Sequence, residues 1–363
     1  MSSMLEKSQE GEDAAKILTL DQINCEVSLE EVVRGFVPTP RFSQVSFDNY
    51  QPDPTQPSQT EALQKLRGYV LQIQEEAKPK TGLGKLFKRS LPTTIKGIYL
   101  DGGYGVGKTH LLAATFSVSP GPKAYLSFQE LAYTIGAKGI AAAIEAFKPY
   151  RLICIDEFEL DDPGNTMLAK TFIRGVTEAG IARIVTTSNT LPSELGQGRF
   201  AAEDFKREIG IIAASFESIQ IEGQDYRHRS YGAGILSEGV LDPTTPQLHQ
   251  KFQSYQPQHG AKLYTSFDEL NHHLSLHHPI RYARLLAPLE AVFIEGLIPF
   301  QEQVQALRFV HFIDKLYDQQ IRLVISAYCT LPDLFLPEYR DKGYAKKYRR
   351  CLSRLHELIS EGG

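Results

Sequence analysis

Residues 102 to 109 carry a spacing of glycines, a lysine and a threonine that suits phosphate binding. Glycine allows backbone conformations that bulkier residues avoid, so several amide N–H groups of one loop can point at one oxyanion. The ammonium of Lys108 adds a positive charge for the outer phosphates, and the hydroxyl of Thr109 can reach Mg²⁺. We therefore predict that this loop binds ATP with Mg²⁺. The predicted cofactor-binding residues are Gly102, Gly103, Tyr104, Gly105, Val106, Gly107, Lys108 and Thr109.

The segments on either side of this loop have the order that phosphate loops require. An apolar run with strand character, residues 95–100, precedes the loop, and a helical pattern, residues 109–116, follows it. A helix that begins at the loop would also turn its positive end toward the anion. The alternative, a glycine-rich turn with an incidental Lys-Thr pair, does not explain this order.

Polar side chains end two further apolar runs of the chain. Residues 152–157 read Leu-Ile-Cys-Ile-Asp-Glu, so Asp156 could orient Mg²⁺ and Glu157 could polarise the attacking water. Asn189 ends the run 184–189 and could align the same water. The alternatives are a buried strand that happens to end in two acids, and an ordinary turn asparagine. The predicted catalytic residues are Lys108, Glu157 and Asn189, and the predicted metal-site residues are Thr109 and Asp156.

Arginines could neutralise the charge that develops during phosphoryl transfer. Arg199, Arg207 and Arg227 follow the Asn189 run and are candidates for this role, including from a neighbouring subunit. Arg354 lies in the predicted terminal helix and could instead sense the nucleotide. Surface ion pairs and a solvated helix face are the alternatives for these residues.

From residue 95 onward, apolar runs alternate with helical patterns, which predicts an α/β fold with a parallel sheet between helices. Nucleotides bind such sheets beyond the carboxyl ends of the strands. A smaller α/β region follows, with strands predicted at 291–295 and 321–326. The five strands predicted for the first sheet are 95–100, 123–128, 151–155, 181–187 and 216–221.

The domain organisation that we predict has four parts. They are a disordered terminus at 1–15, an arm with helices and a basic loop at 16–94, a phosphate-loop core at 95–230 and a C-terminal α/β region at 231–363. The basic loop, residues 78–94, could touch nucleic acid or an anionic membrane. A flexible insertion is the interpretation that we favour.

The bulk composition narrows the classes of protein. The chain has 363 residues, 42% of them hydrophobic, with a formal charge of −4 and a pI of about 6.2, which argues against a dedicated nucleic-acid binder. Its four cysteines form no C-x-x-C pair, so we expect neither disulfides nor a cysteine zinc site. No secretory signal or membrane-spanning run is found. These features favour a cytoplasmic protein without a transmembrane segment.

Four histidines cluster between residues 272 and 278. His273 and His277 would share a helix face, as metal ligands can. No acidic or cysteine partner sits at a useful spacing in the sequence, so we predict a solvated polar loop. The members of the cluster are His272, His273, His277 and His278.

Several motifs together resemble the ZapE family of AAA+ ATPases and its mitochondrial relatives. They include Ile-Asp-Glu-Phe at 155–158, the segment 187–195 and Gly-Gln-Asp-Tyr-Arg at 223–227. The C-terminal motif Arg-Cys-Leu-Ser-Arg-Leu at 350–355 discriminates best, because generic AAA+ proteins lack it. The resemblance extends from about Arg41 to about Glu357.

The resemblance implies an AAA+ P-loop NTPase that hydrolyses ATP and is homo-oligomeric when ATP is bound. It also implies protein partners, at the division ring in bacteria or in mitochondrial protein quality control. Two alternatives stay open. One is a nucleotide-gated adaptor without essential turnover, and the other is a nucleic-acid remodeller of the helicase-loader type. Peripheral membrane contact is compatible with all three.

Overall fold

The chain folds into two compact units, each built on its own parallel sheet. The first unit contains the described residues from 28 to 223, and the second contains residues 16–26, 239–340 and 345–362. The computed structural model describes residues 16–26, 28, 31, 35–77, 96–160, 163–178, 182–195, 202–223, 239–340 and 344–362.

The sheet of the first unit has five strands, all parallel, in the order β3-β4-β5-β2-β6. This confirms the predicted fold class. The strand predicted at 95–100 lies two residues further on, because it continues into the glycine motif and pairs there with β6. The strands are β2 Gly97–Gly102, β3 Lys123–Ser127, β4 Leu152–Asp156, β5 Arg183–Ser188 and β6 Phe216–Ile221. Strand β1 belongs to the second unit.

Helices cover both faces of this sheet and bury apolar side chains against it. Leu111 and Leu112 pack with Ile98 on one face, and Phe147 and Phe172 belong to the cluster on the other. Both faces are apolar because every central strand is buried on both sides, as in other parallel sheets. The helices are α1 Pro57–Ala77, α2 Lys108–Val118, α3 Phe128–Lys138, α4 Ile140–Phe147, α5 Pro163–Glu178 and α6 Lys206–Ala214.

The strand order explains how distant sequence segments meet at one edge. Strands β4, β5 and β2 are neighbours, and Ile155 pairs with Thr186 while Asp101 pairs with Ser188. Because the strands are parallel, their carboxyl ends lie at the same edge. The residues that follow them, including Asp156 at the end of β4, therefore converge beside the phosphate loop.

The second unit contains a four-stranded parallel sheet in the order β1-β7-β8-β9. Its first strand, β1 Ile17–Leu18, pairs with Lys262 and Leu263, so the segment 16–26 lies with the C-terminal region. A strand of two residues is too short to show an alternation of apolar and polar side chains. The sequence analysis therefore grouped this segment with residues 16–94. The other strands are β7 Ala261–Ser266, β8 Leu289–Leu297 and β9 Arg322–Ala327.

Six helices surround this second sheet in the described residues. The sequence predicts a helix over residues 301–317 and a terminal helix, both of which the structure contains, but the helix that follows β7 was missed. The helices are α7 Gln247–Ser254, α8 Phe267–Leu276, α9 Tyr282–Leu286, α10 Gln303–Asp318, α11 Pro337–Arg340 and α12 Ala345–Gly362.

Three of the predicted features lie outside the described residues. They are the N-terminal segment 1–15, the basic loop 78–94, and the segments that hold Arg199 and Arg227. Within the part of the chain that the structure describes, no helix is both long enough and apolar enough to cross a bilayer.

Candidate active site

The phosphate loop connects β2 directly to α2. The strand ends at Gly102, the helix begins at Lys108, and Gly107 caps the helix with a φ of 94°. A Cβ on Gly102 would lie 2.2 Å from the carbonyl oxygen of Ile221, and one on Gly107 would lie 2.5 Å from the Tyr50 ring. Glycine is therefore required at both positions, and the loop forms a backbone cradle at a helix N-terminus that suits an anion.

The Lys108 ammonium lies over the loop in a network of acceptors. Its Nζ donates to the carbonyl oxygens of Gly102 at 3.0 Å and Gly103 at 2.5 Å, and to Asn189 Oδ1 at 2.9 Å. The Asn189 amide in turn donates to Glu159 Oε1 at 3.2 Å. The structure thus brings together the predicted lysine and asparagine, which are 81 residues apart in sequence.

Asp156 accepts hydrogen bonds from four groups. Thr109 Oγ1 donates to its Oδ1 at 3.3 Å, the Tyr125 hydroxyl to its Oδ2 at 3.0 Å, and the Glu157 N–H to its Oδ1 at 3.1 Å. The Thr187 hydroxyl also donates to Oδ1. The carboxylate is held in one orientation beside the Thr109 hydroxyl, and an adjacent hydroxyl and carboxylate are suited to hold Mg²⁺.

Glu157 has an uncommon backbone conformation for a residue other than glycine. Its φ is 53°, in the left-handed region, which costs roughly 1–3 kcal/mol. Hydrogen bonds on both sides hold it there, from its own N–H to Thr187 Oγ1 at 3.1 Å and from the Phe158 N–H to the Thr187 carbonyl at 2.8 Å. Such strain recurs at functional sites, and here it fixes the direction in which a half-buried carboxylate leaves the end of β4.

A model of the AFG1-like ATPase family matches residues 37–264 and 255–362 of this chain. The chain belongs to this family. The match confirms the predicted ATPase activity, the AAA+ P-loop fold and the binding of a nucleotide. It covers both units of the structure, so the C-terminal region is part of the family's architecture.

Individual relatives agree with the family assignment of this AFG1-like ATPase. Cell division protein ZapE of Escherichia coli (strain K12) is 26% identical over 356 residues, which cover 86% of this chain and 93% of ZapE. Lactation elevated protein 1 homolog B of Danio rerio is 24% identical over 319 residues, which cover 73% of this chain and 62% of that protein. These matches confirm the resemblance to ZapE and its relatives.

A solved structure overlaps more loosely with the AFG1-like ATPase. The replication initiator DnaA bound to AMPPCP and single-stranded DNA is 12% identical and covers 89% of this chain and 90% of that chain, with a TM-score of 0.38. A score this low supports no inference about what the present chain binds.

The N-terminal arm of the ATPase unit supports the loop, a role that the sequence analysis did not assign. The Tyr50 hydroxyl donates to the Val106 carbonyl at 3.3 Å, and the Tyr50 ring meets the His110 ring edge-on at 5.3 Å. Burial raises the pKa of Tyr50 to about 12 and lowers the pKa of His110, which also contacts the Ser46 carbonyl. The aromatic residues of the arm were the feature of the sequence that could have indicated this supporting role.

A buried acid on β2 was also missed. Asp101 is 2% exposed, and it accepts a hydrogen bond from Ser218 Oγ at 2.6 Å. Burial raises the pKa of its carboxyl group, whereas the Ser218 hydroxyl and the charge of Lys108 lower it. Burial has the larger effect, so the pKa of Asp101 is raised overall, and Asp101 lies close enough to Lys108 for the two groups to interact electrostatically.

Of the four predicted arginines, Arg207 and Arg354 lie in the described residues. Arg207 lies exposed on α6. Arg354 lies in the second unit, where it and Arg350 form ion pairs with the buried Asp314. Burial raises the pKa of Asp314, but the charges of Arg350 and Arg354 outweigh burial and hold it at about 2. A role for Arg207 or Arg354 toward the nucleotide stays a prediction.

The histidine cluster does not form the solvated loop that we predicted. His273 is 7% exposed and lies on α8, a helix that the sequence analysis missed. His277 follows that helix as its C-terminal cap. The prediction was wrong because Phe267, Leu270 and Leu274 form an apolar face that buries this side of the helix.

Proposed function

We propose that this AFG1-like ATPase binds ATP with Mg²⁺ at the loop 102–109 and uses its hydrolysis to remodel or regulate a protein partner. The observation that carries the proposal is the contact of 3.3 Å between Thr109 Oγ1 and Asp156 Oδ1. It joins the hydroxyl of the phosphate loop to the acid at the end of β4, 47 residues away. This pairing is what a magnesium nucleotide site requires.

The side chains around the loop fit a metal-bound triphosphate. The loop supplies a backbone cradle, Lys108 an ammonium group, and Thr109 and Asp156 adjacent oxygen ligands. When bound, Mg²⁺ neutralises the charge that develops on the transferred phosphoryl group. Lys108 would exchange its loop carbonyl acceptors for the outer phosphate oxygens, which are stronger acceptors.

Glu157 is the residue that we assign as the general base. It leaves the end of β4 next to Asp156, so its carboxylate can take a proton from a water beside the terminal phosphate. Asn189 contacts Lys108 and Glu159, and we assign to it the orientation of that water. We include Arg207 as a candidate that acts on the site of a neighbouring copy, because it is exposed on α6.

The cellular role in this proposal is a ZapE-like function in cell division. It is supported by the 26% identity to ZapE, which covers 86% of this chain. The free cysteines in the described residues fit a reducing cytoplasm. We propose assembly of several copies in ATP, with division-ring proteins as partners.

The Glu157→Gln variant tests the proposal. Removing the base should lower ATP hydrolysis by about 100-fold to 10,000-fold while nucleotide binding persists. Purified protein would be assayed for phosphate release and for retained ATP, with Glu145→Gln as the control because Glu145 is an exposed helix residue paired with Lys148. Steady phosphate release by Glu157→Gln would contradict the assignment of the base.

The Glu157→Gln variant also distinguishes the proposed function from the two alternatives. Partners isolated with Glu157→Gln in ATP should include division proteins, and hydrolysis per chain should rise with protein concentration as copies assemble. Full complementation of a deletion strain by Glu157→Gln would instead favour an adaptor without essential turnover. Retention on DNA that falls steeply with salt would favour a nucleic-acid remodeller.

A further inference from the structure

Three potential metal ligands from distant parts of the sequence meet in the second unit. The Sγ of Cys25 and ring nitrogens of His273 and His277 all lie within 4.8 Å of one another. We propose that these three side chains, the Cys–His cluster, bind a zinc ion and that the ion fastens the N-terminal segment to α8. This site is separate from the nucleotide site and does not depend on the proposed function.

The distances within the cluster are close to those of a zinc site. Cys25 Sγ lies 3.8 Å from His273 Nε2. Zinc–sulfur and zinc–nitrogen bonds at a tetrahedral angle place a sulfur and a nitrogen ligand about 3.6 Å apart, and two nitrogens about 3.3 Å apart. All three ligand atoms lie within 4.8 Å of one another, so movements of up to about 1.5 Å at the ring nitrogens would bring them to these distances.

The two histidines of the cluster are four residues apart at the C-terminal end of α8. His273 lies in the last turn of α8 and His277 caps that helix, so both rings leave the same side, with centroids 4.8 Å apart. The planes are inclined at 53°, so the rings are not stacked on each other. Two imidazoles four residues apart on a helix are a common pair of zinc ligands.

A buried nitrogen atom without a hydrogen-bond partner supports the presence of an ion at the Cys–His cluster. Nδ1 of His277 is buried and has no hydrogen-bond partner among the residues that the structure describes. Leaving a buried polar atom without a partner costs about 1–3 kcal/mol. A metal ion bound at this nitrogen would supply the missing partner.

Asp21 lies where the outer partner of a metal-bound histidine is usually found. Its Oδ1 is 3.7 Å from His273 Nδ1, while the opposite nitrogen, Nε2, faces Cys25. A carboxylate beside the second ring nitrogen fixes the tautomer and strengthens the ligand. The Asp21 side chain itself is 98% exposed.

Zinc binding changes the protonation of the Cys25 side chain. The thiolate is the form of cysteine that binds a metal, so binding forms a sulfur–zinc bond, breaks the S–H bond and releases one proton to solvent.

A bound ion would close a very long loop. Cys25 and His273 are 248 residues apart, and the segment around Cys25 also meets the sheet of its unit through the two-residue strand β1. The Arg281–Glu26 ion pair, at 2.6 Å, lies next to the cluster. Zinc would fix the N-terminal segment on the C-terminal unit, so its loss should free that segment first.

Metal binding by tag-free, full-length protein tests the proposal. After incubation with zinc and exhaustive dialysis, we expect one zinc per chain in the wild type and none in Cys25→Ser or His277→Ala. Cobalt(II) should produce a thiolate-to-cobalt charge-transfer band that Cys25→Ser removes. Asp21→Asn should retain zinc with an affinity lowered by about 10-fold to 100-fold.

Matched controls separate metal binding from folding. His272→Ala removes an exposed histidine of the same helix, and Cys329→Ser removes a cysteine outside the cluster, so both should keep the zinc. ATP hydrolysis reports that each variant is folded in the first unit. Equal zinc content in the wild type and Cys25→Ser, or cobalt spectra without the charge-transfer band, would overturn the proposal. Rapid proteolysis at residues 16–26 after chelation, absent in the zinc form, would support it.

Discussion

The two parallel sheets of this chain place their polar side chains in different ways. In the ATPase unit, polar groups at the carboxyl ends of neighbouring strands converge on the phosphate loop, as Asp156 and Asn189 do. In the second unit, charged side chains form hydrogen bonds and ion pairs with other groups of the same unit. Glu290 accepts the N–H groups of residues 258–260, and Asp314 pairs with two arginines of α12.

This difference shows that a parallel sheet does not by itself create a ligand site. Both sheets have parallel strands and buried apolar faces, but among the described residues only the first has a strand, β2, that continues into a loop whose amide groups and lysine can meet an external anion. In the second unit, the carboxylates of Glu290 and Asp314 pair with N–H groups and arginine side chains of the same unit. Variants that remove one of these charges should therefore affect nucleotide binding in the first unit, as for Lys108, and stability in the second, as for Glu290 and the partners of Asp314.

The largest effect is expected for Lys108→Ala in the ATPase unit. Removing the ammonium leaves the triphosphate without its point charge, so ATP hydrolysis should fall by about 100-fold to 1,000-fold or more. Calorimetric titration of ATP with Mg²⁺ measures the binding. Lys65→Ala is the control, because Lys65 forms an exposed ion pair with Glu217 in the same unit. Wild-type affinity in Lys108→Ala would remove the ligand role on which the comparison depends.

In the second unit, Arg354→Ala should act on stability. Arg354 and Asp314 are both largely buried, and breaking a buried ion pair costs up to about 3–5 kcal/mol, which is an upper bound here because Arg350 still pairs with Asp314. Thermal unfolding without nucleotide would reveal the loss. Arg349→Ala removes an exposed charge of the same helix and should change little. A large fall in ATP affinity without a loss of stability would instead favour the predicted sensor role and break the comparison.

The sequence was most informative where chemistry and position coincide. The phosphate loop is contiguous, and Asp156, Glu157 and Asn189 each end an apolar run, so their meeting follows from any parallel sheet that makes β4, β5 and β2 neighbours. The hydroxyls that hold Asp156 were not predictable. Whether Tyr125 and Thr187 reach it depends on strand register and side-chain direction, which periodicity does not determine.

Long-range contacts account for the remaining failures. The sequence analysis found no cysteine partner for the histidines because it considered spacing along the chain, whereas Cys25 contacts His273 from 248 residues away. The pairing of β1 with β7 brings these segments together, and a two-residue strand leaves no pattern to read. Contacts that the tertiary fold alone creates require the structure.

A pH-dependent loss of stability is expected for Glu290→Gln. Burial raises the pKa of Glu290, but the N–H groups of His259, Gln258 and Gly260 and the Tyr255 hydroxyl hold it at about 2. The unfolded value is about 4.3, so this carboxylate stabilises the fold above that pH and the contribution disappears as the pH falls toward 2. The variant should lose about 1–3 kcal/mol at neutral pH.

Hydrogen exchange in β8 would measure this effect at neutral and acidic pH. The difference between the wild type and Glu290→Gln should shrink as the solution is acidified. Glu295→Gln is the control, because Glu295 accepts a hydrogen bond from the Tyr264 hydroxyl at an exposed position of the same strand. A difference that does not change with pH would mean that packing, and not the charge of Glu290, stabilises residues 258–260.

The smallest effect that we predict tests whether stability and ligand binding are linked behind the phosphate loop. Tyr50→Phe removes one hydroxyl that donates to the Val106 carbonyl at 3.3 Å, and Tyr69→Phe removes one that donates to the Lys96 carbonyl at 3.3 Å. Each bond is worth about 0.5–1.5 kcal/mol, so both variants should lose similar stability. Only Tyr50→Phe should also weaken ATP binding, by about 2-fold to 10-fold, because Val106 belongs to the loop.

Since burial raises the pKa of Tyr50 to about 12, its hydroxyl stays protonated and the effect should not vary across neutral pH. Equal ATP affinities in the two variants would show that the arm stabilises the unit without shaping the site.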